Sequence, residues 1–175
     1  MPADYTGTVF VAGNLDPEKS GYLYRLGEIA RWVPVNLYGS RFAADRAADS
    51  LHYQGAFPPD ELPAHLKGDF GLVWDGDSPD TCTGHTGAYL RLNNPHKTSL
   101  YLAAGFPVII WSSAALAPFL VENGLGLAVD SLSQLPDLLS RLTPADYATL
   151  RQAAGAFGSR LRCGDFIRRA LQEIL

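Results

Sequence analysis

A cluster of polar side chains in residues 93–101 has the types and spacing expected of an anion-binding site. Two adjacent amides are followed by one cation, and the members of the cluster are Asn93, Asn94, His96, Lys97 and Tyr101. We predict that Asn94 is the N-cap of a helix and that Pro95 is its first residue, where a missing N–H costs nothing. Free N–H groups at a helix N-terminus attract anions, and Lys97 would add a positive charge. The cluster therefore predicts a phosphate site.

The alternative for this cluster is purely structural. In that interpretation Asn94 only caps the helix, and Lys97 is a solvated residue of its first turn. A lysine is mildly unfavourable there because the N-terminal end of the helix dipole is already positive. Its presence is better explained if an anion neutralises it. Tyr101, one turn further on, would either donate a hydrogen bond to a phosphate or pack against the core.

Short apolar segments and helical segments alternate around the cluster. Strands are predicted near residues 8–12, 35–38, 51–55, 70–74, 108–111 and 124–130. Helices are predicted near residues 22–32, 58–68, 95–104, 114–123, 134–142, 144–160 and 165–175. A long polar loop is expected from Asp75 to about Ala88. This alternation predicts a single α/β domain over residues 1–175, with a Rossmann-like parallel sheet of about six strands and helices on both faces.

Other candidate residues follow predicted strands, at the edge of the sheet where α/β proteins bind ligands. They come in pairs or at strand ends, and are Gly13, Asn14, Tyr38, Tyr53, Asp75 and Gly76. An aromatic ring at a strand end offers a flat partner for a nucleobase, although most tyrosines are half-buried for packing. An ordinary turn is the alternative for both glycine pairs, since a single glycine is not the GxGxxG fingerprint.

The composition excludes several classes of function. A chain of 175 residues with a net charge of -4 has no basic footprint for nucleic acid. It has neither an apolar run of membrane-spanning length nor a secretory signal, so we expect a cytoplasmic protein, with peripheral membrane association as the alternative. Cys82 and Cys163 lie far apart, which favours free thiols over a disulfide. The four histidines lack metal-ligand spacing, so no metal and no other cofactor is expected.

Residues 93–109 resemble the nucleotide-sugar motif in the C-terminal half of GT-B glycosyltransferases. The resemblance is strongest to the bacterial branch that includes adhesin glucosyltransferases and β-1,6-galactofuranosyltransferases. Residues 10–15, 68–76 and 122–131 extend it through nearly the whole chain. It implies one half of a GT-B fold that binds a UDP-sugar donor. The diphosphate would lie at Asn94, Lys97 and the N–H groups of residues 96–98.

The resemblance also implies what the chain would do as part of an enzyme. It would be the donor-binding domain of a hexosyltransferase that moves glucose or galactofuranose to a glycan or glycoprotein acceptor. The acceptor-binding domain is expected before Met1, so this chain alone would be inactive. No acidic residue lies between Ala88 and Val121, which argues against a donor-helix glutamate and a retaining mechanism that depends on it. No general base is assigned, because an inverting enzyme would take it from the other domain.

Two alternatives to an enzyme domain follow from the sequence. The chain could be a non-catalytic binding or assembly module that serves a partner glycosyltransferase through its last helix. An apolar stripe over residues 167–174 would then be exposed and would also favour homo-oligomers. A nucleotide-sugar epimerase fits poorly, since such enzymes need a dinucleotide fingerprint and a Tyr-x-x-x-Lys pair, and neither is present.

Overall fold

A single parallel sheet lies at the centre of the protein. The computed structural model describes residues 5–174; Met1 to Asp4 and Leu175, which ends the last predicted helix, lie outside the described residues. The strands are β1 Val9–Asn14, β2 Val35–Ser40, β3 Leu51–Gly55, β4 Phe70–Val73, β5 Val108–Trp111 and β6 Gly126–Val129. Their order is β3-β2-β1-β4-β5-β6, and each neighbouring pair is parallel. The predicted six-stranded α/β sheet is confirmed.

The burial of the central strand β1 shows that both faces of the sheet are covered. Four successive residues of β1, from Val9 to Ala12, are each at most 1% exposed. Successive side chains of a strand point to opposite faces, so both faces of β1 are packed. On one face Phe10 contacts the ring of Tyr101 edge-on, at 5.0 Å between ring centroids. Burial on both faces is why the predicted strands are continuous apolar runs rather than alternating ones.

Helices connect the strands and pack on the sheet. They are α1 Leu62–His65, α2 Gly84–Tyr89, α3 His96–Ala103, α4 Ala117–Glu122, α5 Leu135–Arg141, α6 Pro144–Arg162 and α7 Asp165–Gln172. Short 3-10 turns are found at Gly21–Arg25, Ile29–Arg31, Ala44–Arg46 and Leu132–Gln134. Within residues 5–174, no helix combines the length and the apolar character needed to cross a bilayer.

Several predicted segments differ from the structure. The helix predicted over residues 22–32 is two 3-10 turns, interrupted at Gly27, where an added Cβ would lie 3.2 Å from the side chain of Ala48. The polar loop after Asp75 contains α2. The helix expected from Ala114 begins at Ala117, with Pro118 in its first turn, where proline is tolerated.

The start of α3 also differs from the prediction. Pro95, with φ −66° and ψ 132°, is the N-cap and His96 is the first helical residue, whereas Asn94 is exposed and makes no capping hydrogen bond. The extended backbone preferred before a proline explains why Asn94 stays outside the helix. Gly105 has φ 82° and follows the end of α3, as predicted.

The N-terminus of α6 is held by a capping box and makes stability dependent on pH. Thr143 donates from its N–H and its hydroxyl to Asp146, and accepts from the N–H of Asp146. The hydroxyl bond, followed by the N–H bond, holds the pKa of Asp146 below its usual value. A lowered folded-state pKa stabilises the fold above the unfolded pKa, and this stabilisation disappears as pH falls through the folded value.

We therefore expect Asp146→Asn to lower the free energy of unfolding at pH 7, and we expect this loss to shrink as the pH falls through the lowered folded-state pKa and the native carboxyl becomes protonated. Urea unfolding at pH 7 and at a series of acidic pH values measures this, with exposed Asp60→Asn as the control. A loss that stays the same across the whole series would contradict a charge-dependent cap.

The last helix has an exposed apolar stripe. Ile167, Leu171 and Ile174 are 66%, 55% and 81% exposed, while Phe166 packs on Phe157 with ring centroids 5.0 Å apart. The stripe predicted from residues 167–174 is thus directed away from the body of the domain. The two cysteines are free, Cys82 buried and Cys163 exposed, as predicted.

Candidate functional site

Three residues from three elements meet where the strand order changes direction. The chain passes from β1 outward to β2 and β3, and from β4 outward in the other direction, which opens a crevice at the carboxyl ends of β1 and β4. Gly13 is the penultimate residue of β1, Asp75 follows β4, and Lys97 is the second residue of α3. Lys97 Nζ lies 3.1 Å from Asp75 Oδ1, and a Cβ added at Gly13 would lie 3.3 Å from Lys97 Cε.

The ion pair between Lys97 and Asp75 is mostly removed from water. Their side chains are 18% and 15% exposed. Charges in such a position interact more strongly than surface charges, because solvent and salt screen them less. The first-turn lysine therefore has an anion from its own chain. Asp75 therefore accounts for part of the stabilisation of Lys97, which the sequence prediction attributed only to a bound anion.

The groups packed beneath the ion pair are uncharged at neutral pH. Burial, followed by the negative charge of Asp75, raises the pKa of the Tyr22 hydroxyl well above its ordinary value. Burial raises the pKa of the Cys82 thiol to about 12 and also raises that of Tyr101. The ion pair of Asp75 and Lys97 therefore packs on buried groups that carry no charge. The Tyr22 hydroxyl is buried there without a hydrogen-bond partner among the described residues.

Tyr101 has a packing role in this structure. Its ring is fully buried, and its hydroxyl accepts a hydrogen bond of 2.8 Å from the N–H of Ala12 in β1. An added Cβ at Gly71 would lie 2.2 Å from this ring, so β4 can approach α3 only with a glycine there. Of the two roles considered for Tyr101, the contacts match packing, and the side chain fixes α3 against β1.

The loop after β1 is shaped by close backbone contacts. Gly39 in β2 has φ 145°, and a Cβ there would lie 1.7 Å from the carbonyl oxygen of Gly13. Asn14 Oδ1 accepts from the N–H of Asp16 at 3.0 Å, which closes a turn beside the crevice. Gly76, with φ 105°, accepts on its carbonyl from the N–H of Tyr22 at 3.1 Å. Asn14 and Gly76 thus shape the walls, while Gly13 lies against Lys97.

A mainly apolar cleft of about 280 Å³ adjoins Gly13 between the sheet edge, α1 and α3. It is lined by Gly13, Tyr38, Gly39, Ser40, Ala56, Phe57, Pro59, Leu62 and Leu100. Tyr38 forms its floor: the ring is 1% exposed, and the hydroxyl accepts from the N–H of Lys67 at 3.0 Å. Sequence reasoning missed Phe57, whose signal was an aromatic residue beside the rigid Pro58-Pro59 pair after β3.

Tyr53 is not among the residues that line this cleft. Its ring stacks on Phe42, with centroids 4.6 Å apart and an interplanar angle of 13°. Its hydroxyl donates to the carbonyl oxygen of Gly39 at 2.9 Å. Tyr53 therefore supports the outer side of the β2 end. Tyr38 and Tyr53, which were both predicted to lie beside a nucleobase, therefore have different positions: Tyr38 lines the cleft and Tyr53 does not.

The polar residues before and at the start of α3 differ in their exposure and in their hydrogen bonds. Asn94 and His96 are exposed, and Asn93 Oδ1 is buried with no hydrogen-bond partner within the described range. The N–H of Thr98 donates to the carbonyl oxygen of Pro95 at 3.0 Å, so it is already used within the turn. Of the N–H groups predicted to bind phosphate, only those of His96 and Lys97 stay candidates.

A larger cavity lies on the other side of α3. It has a volume of about 410 Å³, lies between α3, α4, α6 and α7, and is lined mainly by leucine and phenylalanine side chains. Neither Lys97 nor Asp75 lines it. In residues 5–174, no group of three potential metal-ligating side chains lies close enough together to hold an ion. The ion pair of Lys97 and Asp75 therefore belongs to the crevice between β1 and β4 and not to this cavity.

Comparison with known proteins places this geometry in a family. A family model described as "Glucosyltransferase 3-like, C-terminal domain" matches residues 9–174. The chain is 37% identical over 171 residues to beta-1,6-galactofuranosyltransferase WbbI of Escherichia coli K12. This alignment covers 95% of the chain and 49% of that protein. The chain is 32% identical over 177 residues to glucosyltransferase 3 of Streptococcus parasanguinis, with 99% and 48% covered. The chain thus spans about half the length of the curated relatives it matches.

Solved structures with low sequence identity show the same fold. A sucrose-phosphate synthase from Thermosynechococcus elongatus aligns with a TM-score of 0.61 at 17% identity, over 99% of this chain and 47% of that one. AviGT4, a glycosyltransferase of avilamycin A biosynthesis, aligns with a TM-score of 0.56 at 16% identity, over 97% and 52%. Together with the match over residues 9–174, these results show that the chain belongs to the family of glucosyltransferase 3-like C-terminal domains.

Proposed function

We propose that this chain is the donor-binding domain of a GT-B hexosyltransferase and that it binds a UDP-sugar in the crevice between β1 and β4. The observation that supports this is the meeting of a mostly buried lysine, a side-chain-free glycine and an apolar cleft at one sheet edge. The names of the relatives favour glucose or galactofuranose as the sugar.

In this proposal the diphosphate lies at the start of α3. Lys97 Nζ contacts a phosphate oxygen, and the N–H groups of His96 and Lys97 face the same anion. Gly13 has no side chain, so the phosphate can approach the end of β1 directly. Asn93 and Asn94 lie just before α3, and we propose that they bind the hydroxyl groups of the sugar.

The nucleobase is proposed to occupy the cleft of about 280 Å³ beside Gly13. A flat, largely apolar slot with a few backbone polar groups is the usual form of such a site. Phe57 is half-buried and stacks on His65 at 3.9 Å between ring centroids, which fixes the orientation of its ring. Tyr38 contributes as the floor of the slot, and Tyr53 as support for the end of β2.

The chemical role follows from where charge develops. When the glycosidic bond of the donor breaks, negative charge accumulates on the leaving diphosphate. A preorganised cation and helix N-terminus stabilise that charge, and Lys97 with α3 supplies both. We propose that the acceptor, a glycan or glycoprotein, binds to a second domain, so that this domain alone binds donor without transferring sugar.

Isothermal titration of the protein with UDP tests the donor-binding role. We expect a single site with a Kd in the micromolar to low millimolar range, and competition between UDP and UDP-glucose for it. Absence of heat at millimolar UDP, supported by absence of chemical-shift changes in the protein, would contradict the proposal. Binding of a different nucleotide at the same residues would change the nucleotide assigned but keep the site.

Substituting Phe57 tests the position of the nucleobase. Phe57→Ala is expected to weaken UDP binding about tenfold, because contact of a base with an aromatic ring contributes about 1–3 kcal/mol. Its effect on inorganic pyrophosphate, which has no base, should be negligible. Calorimetry with both ligands gives the comparison, and Phe42→Ala, outside the cleft, is the control. Equal loss for both ligands would indicate that the slot is only structural.

A second candidate function is an assembly module, favoured by the exposed stripe on α7. In that role the domain binds a partner glycosyltransferase rather than a donor. The two candidates differ in ligand binding, because a pure assembly module shows no change in UDP titration on substitution of Lys97 and a loss of partner binding on substitution of Leu171 by glutamate.

A further inference from the structure

We infer that Asp75 makes the crevice discriminate between the donor and the nucleotide left after transfer, by opposing the extra negative charge of free UDP. This inference rests on the proposed donor-binding function. It assigns Asp75 a role in selectivity rather than in holding the ligand.

The distance between Asp75 and Lys97 places the carboxylate next to any anion that Lys97 binds. Lys97 Nζ lies 3.1 Å from Asp75 Oδ1. A charge-assisted contact from the same ammonium to a phosphate oxygen is about 2.8 Å long. The phosphate oxygen then lies within about 6 Å of the Asp75 carboxylate. Lys97 is therefore shared between two anions, one fixed in the protein and one in the ligand.

The Asp75 carboxylate is mostly shielded from solvent. Its side chain is 15% exposed, so water and salt screen it weakly. The titratable groups that face it from neighbouring elements are Lys97 and Tyr101 of α3, Tyr22 after β1, and Cys82 before α2. Raised pKa values keep the two phenols and the thiol neutral at neutral pH. The carboxylate and the ammonium thus determine the local field.

The ligands differ in charge at the atom nearest to this pair. In a UDP-sugar both phosphates are diesters or anhydrides, and the diphosphate has two negative charges. When the bond from the sugar C1 to the phosphate oxygen breaks, its electron pair stays on that oxygen, and free UDP has a third charge above its second phosphate pKa of about 6. Repulsion by Asp75 is consequently larger for the product than for the donor.

This difference has a kinetic consequence for a whole enzyme. Release of product limits the turnover of many enzymes. A cation strong enough to stabilise the leaving diphosphate would also retain it. Asp75 reduces that retention, because the extra charge develops as the bond breaks and is complete only in free UDP.

Comparing two ligands on two variants tests this inference. Asp75→Asn keeps the shape of the side chain and removes its charge. We expect the variant to bind UDP about tenfold more tightly and UDP-glucose about threefold more tightly or less, measured by calorimetry at pH 7.5 on the full chain. Asp77→Asn removes the same charge from an exposed position two residues away, and should leave the ratio of the two Kd values unchanged.

A pH series adds a readout that a merely structural role would not change. Between pH 5.5 and 7.5 the gap in UDP affinity between Asp75→Asn and the unchanged protein should widen, as the terminal phosphate gains its second charge. The corresponding gap for UDP-glucose should stay constant. Exposed His96 at the start of α3 affects both ligands, so it cancels in this comparison.

The outcomes separate this inference from the function on which it rests. If the unchanged protein binds neither ligand, the donor-binding proposal fails, and this inference with it. If it binds both, and Asp75→Asn shifts both equally or weakens UDP, only this inference fails, and Asp75 instead holds Lys97 in place. Should the asparagine variant not fold, judged by circular dichroism, Asp75→Ser gives the same comparison.

Discussion

Lys97→Met should weaken the binding of UDP at least about 30-fold, which corresponds to about 2 kcal/mol. The side chain is 18% exposed and lies at the N-terminus of α3, so its bond to a phosphate is charge-assisted and poorly screened. Methionine keeps the length of the side chain and removes only the ammonium. Calorimetry with UDP measures the change, and thermal unfolding confirms that the variant is folded.

The matched control for this prediction is Lys67→Met. Lys67 is exposed and lies just before β4, at the opposite edge of the sheet from the crevice. Lys67→Met changes the net charge of the protein by the same amount as Lys97→Met, so a general electrostatic effect on an anionic ligand would appear in both variants. Equal, small losses in the two variants would show that Lys97 does not contact the diphosphate.

Gly39→Ala should destabilise the protein by about 3 kcal/mol or more. The residue has φ 145°, a conformation that L side chains rarely adopt, and the new Cβ would lie 1.7 Å from the carbonyl oxygen of Gly13. Relief of this clash requires β1 and β2 to separate at their carboxyl ends, beside the crevice. Urea unfolding monitored by tryptophan fluorescence gives the free energy of unfolding.

Gly155→Ala provides the comparison for that loss. Gly155 lies inside α6, and an added Cβ would meet no atom within 4 Å. Alanine in a helix interior is favoured over glycine by about 0.5–1 kcal/mol, so this variant should be slightly more stable than the unchanged protein. A Gly39→Ala variant with unchanged stability would show that the contact between β1 and β2 can loosen enough to accommodate a Cβ at Gly39.

The strands were predictable from sequence because their signals are local. Runs such as Val108 to Trp111 are apolar throughout, as strands buried on both faces must be, and glycine or proline bounds them. The 3-10 turn after Gly21 was not predictable, because burial of Tyr22, Leu23 and Leu26 suits a 3-10 turn as well as an α-helix. Tertiary packing determines which of the two forms.

The candidate site was predictable in its residue types and not in its pairings. Lys97 is conspicuous in a helix first turn, and Gly13 follows an obvious strand. The contact of Lys97 with Asp75 depends on the packing of α3 beside β4, which no local pattern specifies. Tyr38 and Tyr53 both lie near strand ends, yet Tyr53 pairs with Leu37, so the alternation of side chains puts it on the opposite face of the sheet from Tyr38. Phe57 resembled an ordinary core residue.

The position of β1 at the centre of the sheet has a consequence for how the protein reaches its native state. β1 is made before the other five strands of this sheet, yet one of its two neighbours is the later strand β4, in which Phe70 pairs with Val9 and Gly71 pairs with Phe10. Until β4 emerges, the apolar β1 has an open edge that can pair with other chains. Non-local parallel pairings also form slowly. We expect refolding yield to fall steeply with protein concentration, with aggregates formed before the second half of the sheet is complete.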